Sequence, residues 1–174
     1  LKKIQEIEDS SYYAFQLALA LFSNKKFSES SKVLKQMLDM YDLTDEYKVN
    51  LYLVLANSLR MEKKYSQAIA NTEKALKIKP NLGEAYMLQG NIYVSGLNLC
   101  GNEFERTTIY WIAVDCFVKA SKDSKTKELA IKAINTYSKY FPDKETCFFN
   151  GVQAGSKYSI GCWINRKTIV RTTD

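Results

Sequence analysis

The sequence predicts an all-α chain of stacked helix pairs that ends in a short β-hairpin-like tail. Three observations lead there. Helix breakers are scarce, with two prolines and seven glycines in 174 residues, and such a composition favours long helices. Apolar residues recur at helical spacing until Pro142, where the periodicity stops. An aromatic residue, two variable residues and a small one return three times, as Phe27-Ser28-Glu29-Ser30, Tyr65-Ser66-Gln67-Ala68 and Tyr110-Trp111-Ile112-Ala113.

The spacing of this motif is 38 residues from Phe27 to Tyr65 and 45 from Tyr65 to Tyr110. The segment before each motif repeats too: Leu17-Ala18 with Leu21, Leu55-Ala56 with Leu59, and Gln89-Gly90 with Tyr93. The middle unit is cleanest, with Tyr52, Leu55, Ala56, Leu59, Tyr65, Ala68, Ala75 and Pro80. Small residues let two helices approach, and large neighbours fill the holes of the next helix. One pair cannot bury its apolar face alone, so pairs stack. This pattern resembles the tetratricopeptide repeat, whose unit is about 34 residues. The resemblance implies a right-handed superhelix of three helix pairs with units at about 11–44, 49–82 and 83–127. A cap helix at 125–141 completes an array over 1–142, and a tail at 143–174 packs on it.

The elements follow in order. Helices are expected at 10–23, 27–41, 46–61, 65–78, 83–97, 105–121 and 125–140. Asn24-Lys25-Lys26 and Glu62-Lys63-Lys64 are tight turns, and Pro80 stops the fourth helix. Asn81 with Glu84 three residues on has the spacing of a capping box. The insertion from Ser95 to Ile109 is either a lengthened hairpin or a projecting loop. In the cap helix Ala130, Ala133, Ile134, Tyr137 and Phe141 share one face, and Lys125, Lys132 and Lys139 form a solvated outer stripe. In the tail, Tyr158, Ile160, Cys162 and Ile164 alternate with Ser159, Gly161 and Trp163 as a strand. Asn165-Arg166 is the expected turn and Thr168 to Arg171 the return. The apolar load of Phe148, Phe149, Tyr158 and Trp163 predicts a docked tail anchored by Trp163.

The composition excludes several chemistries. There is no histidine, so Ser-His-Asp and Cys-His catalysis and histidine metal sites are out. Cys100, Cys116, Cys147 and Cys162 contain no C-x-x-C pair, which disfavours zinc. Their even number permits two disulfides, with the connectivity open. No catalytic, cofactor or metal site is expected, although a thiol enzyme activated by Lys, Arg or a helix N-terminus stays conceivable. The net charge of +6 leans toward the C-terminal third and reads as solvated helix faces. No nucleic-acid recognition motif is present. No apolar run reaches the roughly 18 residues of a membrane span. A chain opening at Leu1 without Met reads as a trimmed or processed fragment.

Cys100-Gly101, Tyr110-Trp111-x-Ala113-x-Asp115, Tyr140-Phe141-Pro142 and Gly161-Cys162-Trp163-Ile164-Asn165 are similar to segments of a group of exported bacterial tetratricopeptide proteins of undefined role. That resemblance implies an extracytoplasmic location. The repeat family lines a concave groove with the first helix of each unit. The matching positions are Tyr12, Phe15, Leu19 and Phe22, then Asn50, Leu53, Asn57 and Arg60, then Glu84, Met87, Asn91 and Val94. Chaperone-binding members clamp a terminal carboxylate with lysines where this chain has Phe15, Leu53 and Met87, so an acidic C-terminal peptide is not the expected ligand. The expected partner is a protein or peptide, an apolar helix or extended segment whose backbone pairs with Asn57 and Asn91. Against this stands a structural role, with Phe15, Leu19 and Phe22 covered by Ile4 and Ile7 or by the tail. In that case a homo-oligomer, with the groove filled by a neighbouring chain, is the alternative.

Overall fold

The computed structural model describes the backbone of residues 2–173 and the side chains of residues 10–173. It is mostly helical, with a small two-stranded antiparallel hairpin near the C-terminal end. The elements are α1 (Lys2–Ser23), α2 (Phe27–Met40), α3 (Asp45–Met61), α4 (Tyr65–Ile78), α5 (Gly83–Ser95), α6 (Glu103–Ala120), α7 (Lys127–Tyr137), α8 (Lys144–Phe149), β1 (Lys157–Ile160) and β2 (Arg166–Ile169). They fall into two compact units, residues 1–80 and 81–174.

In the first unit α1 packs with α2, α2 with α3, and α3 with α4. The small positions of the repeat sit where these helices touch: Ala18, Ser30, Ala56 and Ala68 are all fully buried. Ser30 does more than fill space. Its Oγ donates to the Ala18 carbonyl at 2.8 Å and lies 3.3 Å from Ser58 Oγ, so one hydroxyl links α1, α2 and α3. Replacing Ala68 with leucine is expected to destabilise the first unit by about 1–3 kcal/mol through overpacking. Thermal melts report it, and an unchanged midpoint would place Ala68 away from the helix contact.

Two turns in this unit close in the same way. Lys26 N–H donates to the Leu21 carbonyl and Lys25 N–H to that of Phe22. Lys64 and Lys63 repeat this with Leu59 and Arg60. This is the Schellman closure, which puts the residue just past the cap in the left-handed region. Here that residue is lysine, with φ of 61° at Lys25 and 62° at Lys63. Because a Cβ is strained there, Lys63→Gly is expected to raise stability by about 0.5–1 kcal/mol in urea unfolding.

The first helix begins at Lys2 rather than at residue 10. The segment before residue 10 has no Gly or Pro and is rich in helix formers, so it continues α1. The expected covering role of Ile4 and Ile7 concerns side chains outside those described. One face of α1 stays open. Leu17, equivalent to Leu55 at the 38-residue offset, is 53% exposed, whereas Leu55 is 2% exposed. The difference follows from α2, which packs on α3.

In the second unit α5 packs with α6, and α6 with α7. Gly90 is required at the α5–α6 crossing, since a Cβ there would lie 2.4 Å from Phe117 Cε1. The capping box expected at Asn81 and Glu84 does not form. Asn81 is left-handed at φ 63°, Leu82 takes the cap position, and Gly83 N–H donates to Asp123 Oδ2 at 2.9 Å. A carboxylate from the α6–α7 turn therefore caps α5. The box occurs instead at α6, where Glu105 N–H donates to Asn102 Oδ1 and Asn102 N–H to Glu105 Oε2. The Ser95 to Ile109 insertion resolves into one 3-10 turn, Leu97–Leu99, and the first turns of α6.

Lys125, Lys132 and Lys139 are all exposed, as expected of a solvated stripe, but they do not share one helix. The α7 helix spans only Lys127–Tyr137, so Lys125 precedes it and Lys139 lies in the 3-10 turn Ser138–Tyr140. Thr126 Oγ1 donates back to the Ala120 carbonyl at 2.7 Å, which holds the turn and delays the start of α7. The expected apolar face is used: Ala130 is fully buried, and the Tyr137 ring stacks on Phe117 and Tyr110.

The tail departs from expectation at three places. Helical structure resumes after Pro142 as α8, because Asp143 caps it by accepting the Thr146 N–H at 2.6 Å. The hairpin pairs Lys157 with Ile169 and Ile160 with Arg166. Its connection is therefore Gly161 to Asn165, and Cys162, Trp163 and Ile164 lie in the loop rather than in a strand. Cys162 and Asn165 both have positive φ, 51° and 45°, which turns the chain before Arg166. Finally, Phe148 and Phe149 are 77% and 76% exposed, so they do not help to bury the tail. Among the described residues no helix is long and apolar enough to cross a membrane.

Candidate functional site

The first-helix positions singled out in the sequence fall into the two compact units and are described separately. In the first unit Tyr12 and Asn50 are exposed, while Phe15, Leu19, Phe22, Leu53, Asn57 and Arg60 are half-buried. The Phe15 ring meets Tyr47 across α1 and α3, with centroids 5.6 Å apart. Phe22 turns instead to its own pair and packs edge-on against Phe27 at 5.2 Å. Asn57 and Arg60 are one turn apart and engage each other: Arg60 Nε and Nη2 both donate to Asn57 Oδ1, at 3.0 and 2.9 Å. The Asn57 oxygen is thus already used within the chain. In the second unit Glu84 is exposed, and Met87, Asn91 and Val94 are half-buried.

Sequence reasoning missed two clusters. At the corner joining α2 to α3, Tyr41, Asp42, Leu43, Thr44 and Tyr47 line a half-open pocket of about 250 Å³ with Ser11 and Tyr12 of α1. Burial raises the Tyr47 phenol above its ordinary pKa; a hydrogen bond with Ser11 opposes the shift and the neighbouring Tyr12 adds to it. Tyr12 itself was named from the repeat alignment, but Tyr41 and Tyr47 fall outside the repeat pattern. Tyr41 beside Asp42, with Tyr47 five residues on, was the available signal.

The second missed cluster docks the tail. Trp111, Cys147 and Val170 form a buried core, with Phe104, Phe141, Val152 and Tyr158 packed on it. Trp111 Nε1 donates to the Arg171 carbonyl at 2.7 Å, and Arg171 pairs with Asp115, which also accepts from Thr168 Oγ1. The expected anchor, Trp163, holds the hairpin loop: its Nε1 donates to the Gly96 carbonyl at 3.1 Å, and its ring lies 5.8 Å from that of Tyr93. The open question of cysteine pairing resolves to one bond, Cys100–Cys162, with Cα atoms 5.5 Å apart. Cys116 and Cys147 are unpaired and buried. Burial pushes the Cys116 thiol up to about 12 and raises that of Cys147, so both stay protonated near neutral pH. Among the described residues no three Cys, Asp or Glu side chains converge to hold a metal.

No protein-family model matches the chain, and no curated protein matches it.

Proposed function

We propose that this protein is a non-catalytic protein- or peptide-binding scaffold of the tetratricopeptide type, with its helix pairs stacked as a right-handed superhelix. The observation that carries the reading is a periodic contrast. The small positions of each unit are buried: Ala18 and Ser30, Ala56 and Ala68, Gly90 and Ala113. The first-helix positions Tyr12, Asn50 and Glu84 meanwhile remain exposed. A scaffold needs both: an invariant packing seam, and a variable face for a ligand. The tail supports the same reading, since its strands pack on α6, the second helix of its pair. An oxidising, extracytoplasmic location fits the Cys100–Cys162 bond, because such bonds persist outside reducing compartments.

The test is site-specific photo-crosslinking in the native compartment. Probes at Leu53 and Met87 are expected to trap one partner species, and a probe at Gln67, exposed on α4, is expected to trap none. Adding Asn57→Ala and Arg60→Ala should abolish the Leu53 product while leaving the melting curve near that of the parent. Equal products from both faces would overturn the reading.

A further inference from the structure

The pocket at the α2–α3 corner has a chemistry of its own. Three of its side chains are tyrosines, Tyr12, Tyr41 and Tyr47, and one is a carboxylate, Asp42. Two rings are fixed from behind. The Tyr41 hydroxyl is hydrogen-bonded to Ser10 Oγ at 2.8 Å, and the Tyr47 hydroxyl donates to the Ser11 carbonyl at 3.3 Å. The third ring, Tyr12, is 56% exposed and so offers open aromatic surface at the mouth. Tyr41 and Tyr47 are thus tied to α1 through their hydroxyls, a preorganisation that lowers the ordering cost of binding.

Asp42 is the one charged side chain that lines the pocket, and Lys48 lies one residue beyond Tyr47. Between Gln36 and Tyr47 the sequence carries Asp39, Asp42, Asp45 and Glu46 and no Lys or Arg, in a chain whose net charge is +6. The positive N-terminal end of α3 lies beside the pocket, but Asp45 and Glu46 in its first turn offset that dipole. Aromatic faces combined with local negative charge attract cations whose charge is spread over an apolar surface. Small hard ions want several oxygen ligands, and here a single carboxylate lines the space. About 250 Å³ is the room of roughly eight waters, enough for a trimethylammonium or guanidinium head.

We propose that the Tyr12–Tyr41–Tyr47 pocket binds the head of an organic cation, with Asp42 as its counter-charge. Two sources present that head: a free quaternary ammonium compound, or a basic side chain of a peptide. The pocket shares Tyr12 with the face assigned to protein binding, but its chemistry is complete within the first compact unit. Small-molecule probes therefore test it without reference to the peptide reading.

The experiment titrates the full chain with choline, with N-acetyl-arginine amide, and with 3,3-dimethylbutan-1-ol, the neutral isostere of choline, following ligand methyl and tyrosine ring protons by NMR. At least one cation is expected to bind with a millimolar dissociation constant and ring-shielded shifts, and the neutral isostere to bind at least about tenfold more weakly. Tyr12→Ala should weaken binding about fivefold, and Asp42→Asn should weaken it and flatten its salt dependence. Both positions are exposed, so both variants are expected to keep the parent melting curve. Stronger binding of choline assigns the free quaternary ammonium source, and stronger binding of the arginine derivative assigns the peptide side chain. Binding of neither cation, equal binding of the neutral isostere, or an unchanged affinity in folded Tyr12→Ala each overturns the proposal.

Discussion

Replacing Trp111 with alanine is expected to cost about 3–5 kcal/mol and to release the tail from α6. Trp111 is fully buried, and it is the side chain on which the tail converges. Phe104 and Tyr158 meet its ring edge-on, with centroids at 6.3 and 5.5 Å. Val170 and Cys147 share its core. Truncation removes the largest side chain at this point and opens a cavity that a helix and a hairpin cannot both close. It also strands the Arg171 carbonyl, which loses the indole N–H. Arg171 in turn donates to the Trp111 carbonyl at 3.2 Å and pairs with Asp115, so loosening one loosens the other. The loss is read by chemical denaturation, and the release by proteolysis between Gly151 and Asn165. Trp111→Phe should fall between the two. An alanine variant with wild-type stability and a protease-resistant tail would show that the core around Trp111 does not hold the tail.

Removing the Cys100–Cys162 bond gives the second large effect, with a different signature. The bond closes a loop with a sequence separation of 62 residues, and the loop entropy it removes from the unfolded chain is about 4 kcal/mol. The double variant Cys100→Ser, Cys162→Ser is expected to melt about 10 °C lower. Its tail should nevertheless stay docked, because the Trp111 core and the Trp163 bond to Gly96 are untouched. Proteolysis under native conditions should therefore resemble the parent. A variant whose tail is cleaved as fast as that of Trp111→Ala would mean that the bond itself holds the hairpin in place.

The Trp111 core and the Cys100–Cys162 bond mark the boundary of what the sequence made legible. The helix pairs were readable because the signal is repeated: Ala18, Ala56 and Gly90 recur at spacings of 38 and 34 residues, and most helix boundaries are set by neighbours close in the chain. The contributions that were not readable come from far away. The cap of α5 is Asp123, 40 residues from Gly83, so the local Asn81 and Glu84 pair was a plausible but unused solution. Trp111 stands at a variable position of the repeat motif, and only the returning tail makes it the centre of a core. The hairpin turn is placed by Cys162, which is drawn to Cys100 and breaks the alternation after Ile160. Phe148 and Phe149 mislead in the opposite sense, since apolar composition reports the capacity for burial and not its occurrence. The same holds for the candidate sites. Tyr12 could be named from register, but Tyr41 and Tyr47 meet it only through the fold of the α2–α3 corner.

The two buried thiols govern how the protein behaves once oxidised. Disulfides rearrange through attack by a thiolate. With its thiol pushed up to about 12, Cys116 at pH 8 holds roughly one molecule in ten thousand as thiolate. Cys147 is raised as well and is 2% exposed. Buried and protonated, neither attacks the Cys100–Cys162 bond from the native state, so reshuffling must wait for unfolding. Four cysteines allow three fully paired isomers, yet the folded molecule is kinetically confined to one bond and two silent thiols. Storage at mildly alkaline pH should leave peptide maps under non-reducing conditions unchanged, and scrambled species should accumulate only at the rate at which the chain unfolds.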